Sequence, residues 1–238
     1  MSGAEAELSR DALKRFFPGR PLHRYLRPLP EHGVFYVKNP KAACSTLMVW
    51  LDRIHTGDHG RDPARIHSDH GLPSIQDLGW ATVSDMLTGS AYRFSFVRDP
   101  LRRLESAYWD KIVHNENWGP TKVREKLQLN AEPDATLSFE EFLDAVERQD
   151  PVREMDPHWR PQHLNLMHPV ITYDRIGRLE SFDADLELVR QEAGLPRVPL
   201  QVRNTSAHRY ATSVYDGRPD LVSRVEALFA TDLELYGY

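Results

Sequence analysis

Two short stretches of this sequence combine cations, hydroxyls and helix starts as an anion site requires. The first is the run Lys38-Asn39-Pro40-Lys41-Ala42-Ala43-Cys44-Ser45-Thr46. It follows the β-branched and aromatic run Gly33 to Lys38, read as a buried strand, and precedes Leu47, Trp50, Leu51 and Ile54 at helical spacing. A loop that leads from a strand into a helix N-terminus offers an anion backbone N–H groups and the positive end of the helix dipole. Within it the small residues Ala42 and Ala43 let the backbone come close, Lys41 brings a mobile charge, Cys44 follows, and Ser45 and Thr46 bring hydroxyl donors. The plainer alternative is an ordinary strand–helix junction whose Ser or Thr caps the helix. A Walker A loop is not matched, because the Gly-Lys-Ser/Thr ending is missing and the lysine precedes the hydroxyl pair, which weakens a nucleotide kinase.

The second stretch opens with Arg93 to Val97, a second strand, which runs into Arg98-Asp99-Pro100 and then Leu101, Leu104, Tyr108 and Ile112 on one helical face. Asp99 suits the N-cap and Pro100 the first helical position. Ser106 lies roughly 9 Å along that helix from Pro100 at 1.5 Å per residue. An anion held by both Arg98 and Ser106 must therefore lie alongside the helix, and two grips on neighbouring strand ends suit a ligand phosphorylated at two separated places. The competing view pairs Arg98 with a surface carboxylate and leaves Arg102 and Arg103 solvated.

Among side chains that could act as a general base near neutral pH, histidine titrates in the right range. His67 and His70 lie in residues 57–73, a loop rich in Gly, Pro, Asp and His, and His67 is placed ahead of His70. Solvent-exposed loop histidines are the alternative. Read as a metal cluster, His55, His59, His67 and His70 match no common zinc spacing, so no metal is expected. His158 and Trp159, with Gln162 and His163 following, are candidates for substrate binding, Trp159 by stacking its ring; packing is the other reading.

These residues need an alternation of strands and helices to position them. Residues 114–137 read as a polar, irregular insertion, and Ser138 with Glu141 as a capping box opening a helix. Val170 to Tyr173 and Ile176 to Leu179 read as short strands, Asp183 to Ala193 as a helix, and a C-terminal helix covers about residues 219–236. The expectation is a three-layer, P-loop-like α/β fold with a mostly parallel sheet, built as one domain over 1–238 with its core about 33–195. The longest apolar stretch, Leu47 to Leu51, is five residues, so no membrane anchor is expected, and the N-terminus lacks a secretory pattern. A single cysteine, Cys44, fits a reducing cytoplasm. With 30 basic and 35 acidic residues the formal charge is -5, which argues against a general nucleic-acid or anionic-membrane binder. Any polyanion must be held locally.

Pro40 to Thr46 resembles the 5′-phosphosulfate loop, and Phe96-Val97-Arg98-Asp99-Pro100-Leu101-Arg102-Arg103-Leu104-Glu105-Ser106-Ala107-Tyr108 resembles the 3′-phosphate motif, of sulfotransferases that use 3′-phosphoadenosine-5′-phosphosulfate (PAPS). The similarity continues through Phe139 to Phe142, His158-Trp159, His168-Pro169 and Tyr173 to Glu180, segments similar to the chondroitin 4-O-sulfotransferase-like branch of the carbohydrate enzymes. It implies Lys41, Ser45 and Thr46 on the phosphosulfate, Arg98 and Ser106 on the 3′-phosphate, and a catalytic histidine in the region of His67 and His70. It further implies a loop over residues 203–209 that closes on the nucleotide, with Ser206 and Arg209 as candidates. Animal members carry a Golgi anchor and several cysteines; their absence here implies a soluble, bacterial-type member with a hydroxyl acceptor, PAPS as co-substrate and no metal. A P-loop kinase and a non-catalytic nucleotide-binding module remain the alternatives.

Overall fold

The computed structural model describes residues 8–114, 118–131, 135–200 and 212–238. Four strands, β1 (Leu26–Leu29), β2 (Val34–Val37), β3 (Tyr92–Val97) and β4 (Arg175–Arg178), form one sheet in the order β1-β2-β3-β4. The pairs β2–β3 and β3–β4 are parallel, and β1 runs antiparallel on the edge. Helices α1 (Arg10–Lys14), α2 (Cys44–Thr56), α3 (Ile75–Asp85), α4 (Pro100–Tyr108), α5 (Pro120–Leu127), α6 (Phe139–Glu147), α7 (Gln162–Asn165), α8 (Phe182–Glu192), α9 (Pro219–Leu228) and α10 (Ala230–Tyr236) complete the regular structure. This is the expected α/β architecture with a mostly parallel sheet. Among the described residues no helix is long and apolar enough to cross a membrane.

The chain divides into two compact units. The first, residues 1–97 with 164–204, contains the sheet. Its core gathers Tyr36, Phe94 and Phe96 from the strands, Leu47, Met48 and Leu51 from α2, and Leu186 and Val189 from α8. All of β2 is buried, as its unbroken apolar sequence requires of a central strand. Gly177 permits this packing, since a Cβ there would lie 2.6 Å from the Phe96 ring. In the second unit, residues 98–163 with 205–238, a separate core joins Leu104 and Tyr108 of α4, Phe142 and Leu143 of α6, and Val225 of α9.

Four elements differ from expectation. Residues 114–137 are not irregular throughout, because α5 forms where Pro120 starts a helix and Val123 and Leu127 bury one face. Val170 to Tyr173 forms no strand; it leaves a turn in which Val170 N and Ile171 N donate to Met167 O at 2.8 and 3.1 Å. The C-terminal helix is two helices, broken at Phe229, whose ψ of 22° leaves the helical range. The edge strand β1 contains Pro28, which an edge position tolerates.

Candidate active site

Between β2 and α2 the chain turns through two left-handed residues, Lys41 at φ 69° and Ala43 at φ 58°. A residue with a Cβ adopts this region at a cost of about 1–2 kcal/mol, so the surroundings must impose it. They do so through buried polar contacts. The Asn39 side chain donates to Phe96 O at 3.0 Å and accepts from Asn165 Nδ2 at 3.2 Å, while Ser95 Oγ donates to Val37 O at 2.7 Å. Ala42 turns its methyl into the core, and Lys41 is half-buried. No side chain caps α2, so its first turn directs backbone donors at whatever the loop holds.

The loop after α2 returns to this place. His67 Nε2 lies 2.9 Å from Ser45 Oγ, with the His67 ring exposed. Buried Asp52 anchors the loop by accepting from Gly71 N at 2.6 Å and pairing with Arg61 at 3.1 Å; Arg61 also pairs with Asp69 at 3.0 Å. Gly71 is required there, because a Cβ would fall 2.4 Å from Thr56 Cγ2. His70 is half-buried within the fields of Arg27, Asp52 and Lys38. Burial and then Arg27 hold its pKa below the ordinary histidine value, with Asp52 opposing. The structure thus brings His67 to the lysine loop and sets His70 in a different environment.

In the second unit Asp99 caps α4, accepting from Arg102 N at 2.8 Å. The buried Gln162 side chain brackets the Arg98 backbone, accepting from Arg98 N at 3.0 Å and donating to Arg98 O at 2.8 Å. Asp232, also buried, accepts from the amides of Gln162 and His163 at 2.6 and 2.9 Å and lies 2.7 Å from His163 Nδ1. Gln162, His163 and Asp232 were not marked by spacing as one group, since about 70 residues separate their partners and only the fold unites them. Arg98 is half-buried and Ser106 is buried on α4. Arg102 is exposed, but Arg103 is not solvated; it is buried and donates to Arg160 O and Pro157 O at 2.7 and 2.8 Å.

Trp159 does not offer a ring to a sugar. It is 0% exposed, packed edge-on against Phe142 and Trp118, with its Nε1 donating to Gln149 at 3.0 Å. An apolar face of that size is worth more in the core than at a wet site. Its neighbour His158 stays 30% exposed, with Nδ1 2.5 Å from Asp156 Oδ1. Although burial raises the Asp156 pKa, His158 and Lys126 draw it far below the usual carboxylate range. Ser206 and Arg209 lie outside the described residues. His55, His59, His67 and His70 are not gathered into one cluster among the described residues; His55 instead faces Glu31 and His32.

Among curated proteins the chain is similar to "Carbohydrate sulfotransferase 11" of Mus musculus, 30% identical over 186 residues that cover 69% of this chain and 51% of that protein. It is also similar to "Carbohydrate sulfotransferase 14" of Danio rerio, 29% identical over 229 residues covering 87% of this chain and 60% of the relative. "Carbohydrate sulfotransferase 10" of Gallus gallus is 30% identical over 237 residues, covering 87% and 64%. The chain therefore spans about half to two thirds of the length of these relatives. No solved structure matches it at a significant level. The profile described as the sulfotransferase family matches residues 26–238, from β1 through both strand–helix junctions to the C-terminus, and the chain belongs to that family.

Proposed function

We propose that the protein transfers a sulfuryl group to a carbohydrate hydroxyl. Family membership supports the reaction class, and the names of the relatives support a carbohydrate acceptor. The motifs from Phe139 to Glu180 favour a member resembling the chondroitin 4-O-sulfotransferase branch. PAPS, when bound, supplies the sulfuryl group. The residues fit such a ligand, because the uncapped start of α2 follows a left-handed loop bearing Lys41, and Ser45 stands in the first helical turn.

In this reading Lys41, Ser45 and Thr46 hold the 5′-phosphosulfate, with Ala42, Ala43 and Cys44 supplying close backbone, and Arg98 and Ser106 hold the 3′-phosphate. Lys41 meets negative charge that grows during transfer, and Gln162 fixes the backbone from which Arg98 extends. His67 takes the proton of the acceptor hydroxyl. The Ser45–His67 contact carries this assignment, since it joins the loop assigned to the phosphosulfate to a base at a single place.

The deciding experiment incubates the protein with PAPS and a panel of desulfated glycosaminoglycan oligosaccharides, reading product mass and the modified hydroxyl by tandem mass spectrometry. Addition of one sulfate at a defined position is expected. Phosphate addition from ATP with magnesium would replace this reading by the kinase, and tight nucleotide binding with no turnover across the panel would replace it by a binding module.

A further inference from the structure

At the end of α2 remote from the lysine loop, three metal-ligating side chains converge. Glu31 and His32 belong to the short 3-10 turn Pro30–His32 between β1 and β2, and His55 lies in the last turn of α2. One ligand atom from each lies within 4.8 Å of the others. The two imidazoles meet edge to face with centroids 5.8 Å apart, and His55 Nδ1 is 3.6 Å from Glu31 Oε2, too far for a hydrogen bond.

The ring nitrogens here are anomalous. His32 Nε2 and His55 Nδ1 are both shielded from solvent, and neither has a hydrogen-bond partner. A shielded ring nitrogen left without a partner is unfavourable, and two side by side call for a shared partner. We propose that Glu31, His32 and His55 bind a divalent transition-metal ion of the zinc class, clipping the β1–β2 turn to the end of α2.

The donor set fits that ion. Two imidazoles and one carboxylate with a remaining position for water form a familiar four-coordinate zinc set. Ligand bonds of ~2.0–2.1 Å in a tetrahedron separate ligand atoms by roughly 3.3 Å, so the His55–Glu31 separation is already near that value. Glu31 is 76% exposed and free to swing inward, whereas the His55 side chain is 18% exposed and fixed by its helix. A cation also gains from the carbonyls at a helix C-terminus, the end at which His55 stands. Burial, and secondarily the neighbouring His55, favours the neutral His32 ring that a metal needs, against the opposing pull of Glu31. His55 is about 15 Å along α2 from Ser45, at 1.5 Å per residue, so the ion is structural and takes no part in the transfer reaction.

The test uses the full chain stripped with EDTA and then desalted. Calorimetric titration with Zn²⁺ should show saturable uptake of one equivalent together with a rise in Tm, and Co²⁺ in place of Zn²⁺ should give visible d–d absorption of a low-coordinate site. His32→Gln and His55→Gln should each abolish the uptake and the cobalt band, while Glu31→Gln, at an exposed position that does not threaten folding, should weaken both and His59→Gln should change neither. Failure of the wild-type chain to take up one equivalent, or uptake that survives His32→Gln with His55→Gln combined in a folded protein, overturns the proposal. So does equal weakening by His59→Gln, which would mark scattered surface histidines as the binders.

Discussion

Lys41 and Arg98 carry the same charge to different tasks. In the proposed reaction Lys41 faces charge that develops only during transfer, so Lys41→Ala should lower kcat by about 10²–10³. In the same proposal Arg98 faces a phosphate that does not react, so its loss should weaken nucleotide binding about 10- to 100-fold and leave kcat less affected. Initial-rate kinetics in both substrates separates the two, and the reverse pattern removes these roles. For His67, removal of a positioned base should cost about 10²–10⁴ in kcat with nucleotide affinity nearly unchanged. The wild-type rate should rise with pH as the ring loses its proton, and the rise should vanish in His67→Ala; His70→Ala should be milder. Full activity of His67→Ala together with collapse of a His163→Ala variant would move the base to the ring that Asp232 orients. His70 has its own pH signature. Its folded pKa lies below the ordinary 6.5, so the unfolded chain takes up the proton first. Stability should be complete above about pH 6.5, fall as the pH drops below it, and level off once the folded value is passed. Urea titrations of wild type and His70→Gln across pH 5–7 check this, and parallel curves would refute it.

At the scale of elements, the loop bearing His67 depends on contacts remote from it. Gly71→Ala would force a methyl against Thr56, so it should lower Tm and kcat while nucleotide affinity changes little. Thermal melts with product assays decide; unchanged kcat would show that the loop reaches Ser45 without this anchor. Such couplings mark where the sequence stopped being readable. Strand β2 was legible because an unbroken apolar run between turn residues has few other uses, β3 because Phe94, Phe96 and Val97 form a β-prone run around Ser95, and α4 and α6 because Asp99 and Ser138 announce their starts. Strand β1 was not, since Pro28 and the buried Arg27 break the apolar pattern; only pairing with β2 makes a strand of it. The lysine loop and Arg98 follow from local order along the chain. The Ser45–His67 contact joins positions 22 residues apart through an irregular loop, and no periodicity encodes it. Trp159 was ambiguous for a related reason: the rings of Phe142 and Trp118 that claim it come from other elements.

Across the whole molecule, each of the two units has its own apolar core and contributes one of the two strand–helix junctions proposed to hold an anion. A ligand that engages only the native state stabilises it by about 2.7 kcal/mol at 100 times its Kd. The desulfated nucleotide 3′-phosphoadenosine-5′-phosphate should therefore raise Tm well above the shift given by AMP or ATP at equal concentration. Equal shifts for all three would mean that the 3′-phosphate goes unrecognised. Excess EDTA should leave sulfuryl transfer intact while lowering Tm, because the ion proposed at Glu31, His32 and His55 lies at the end of α2 remote from the lysine loop.

The loop that carries His67 has far more reach than it needs. From Ser45 to Thr56 is eleven residues of helix, about 17 Å at 1.5 Å per residue. The return from Thr56 to His67 is also eleven residues, which extended would span roughly 36 Å. About half of that tether is slack, taken up by the Asp58 and Asp62 turns and the 3-10 turn Pro63–Arg65. Removing the exposed Asp58-His59 pair would still let the chain cover the distance, provided that Arg61 keeps its grip on Asp52. A two-residue deletion in this segment should therefore leave His67 at Ser45, whereas a two-residue deletion within α2 should not.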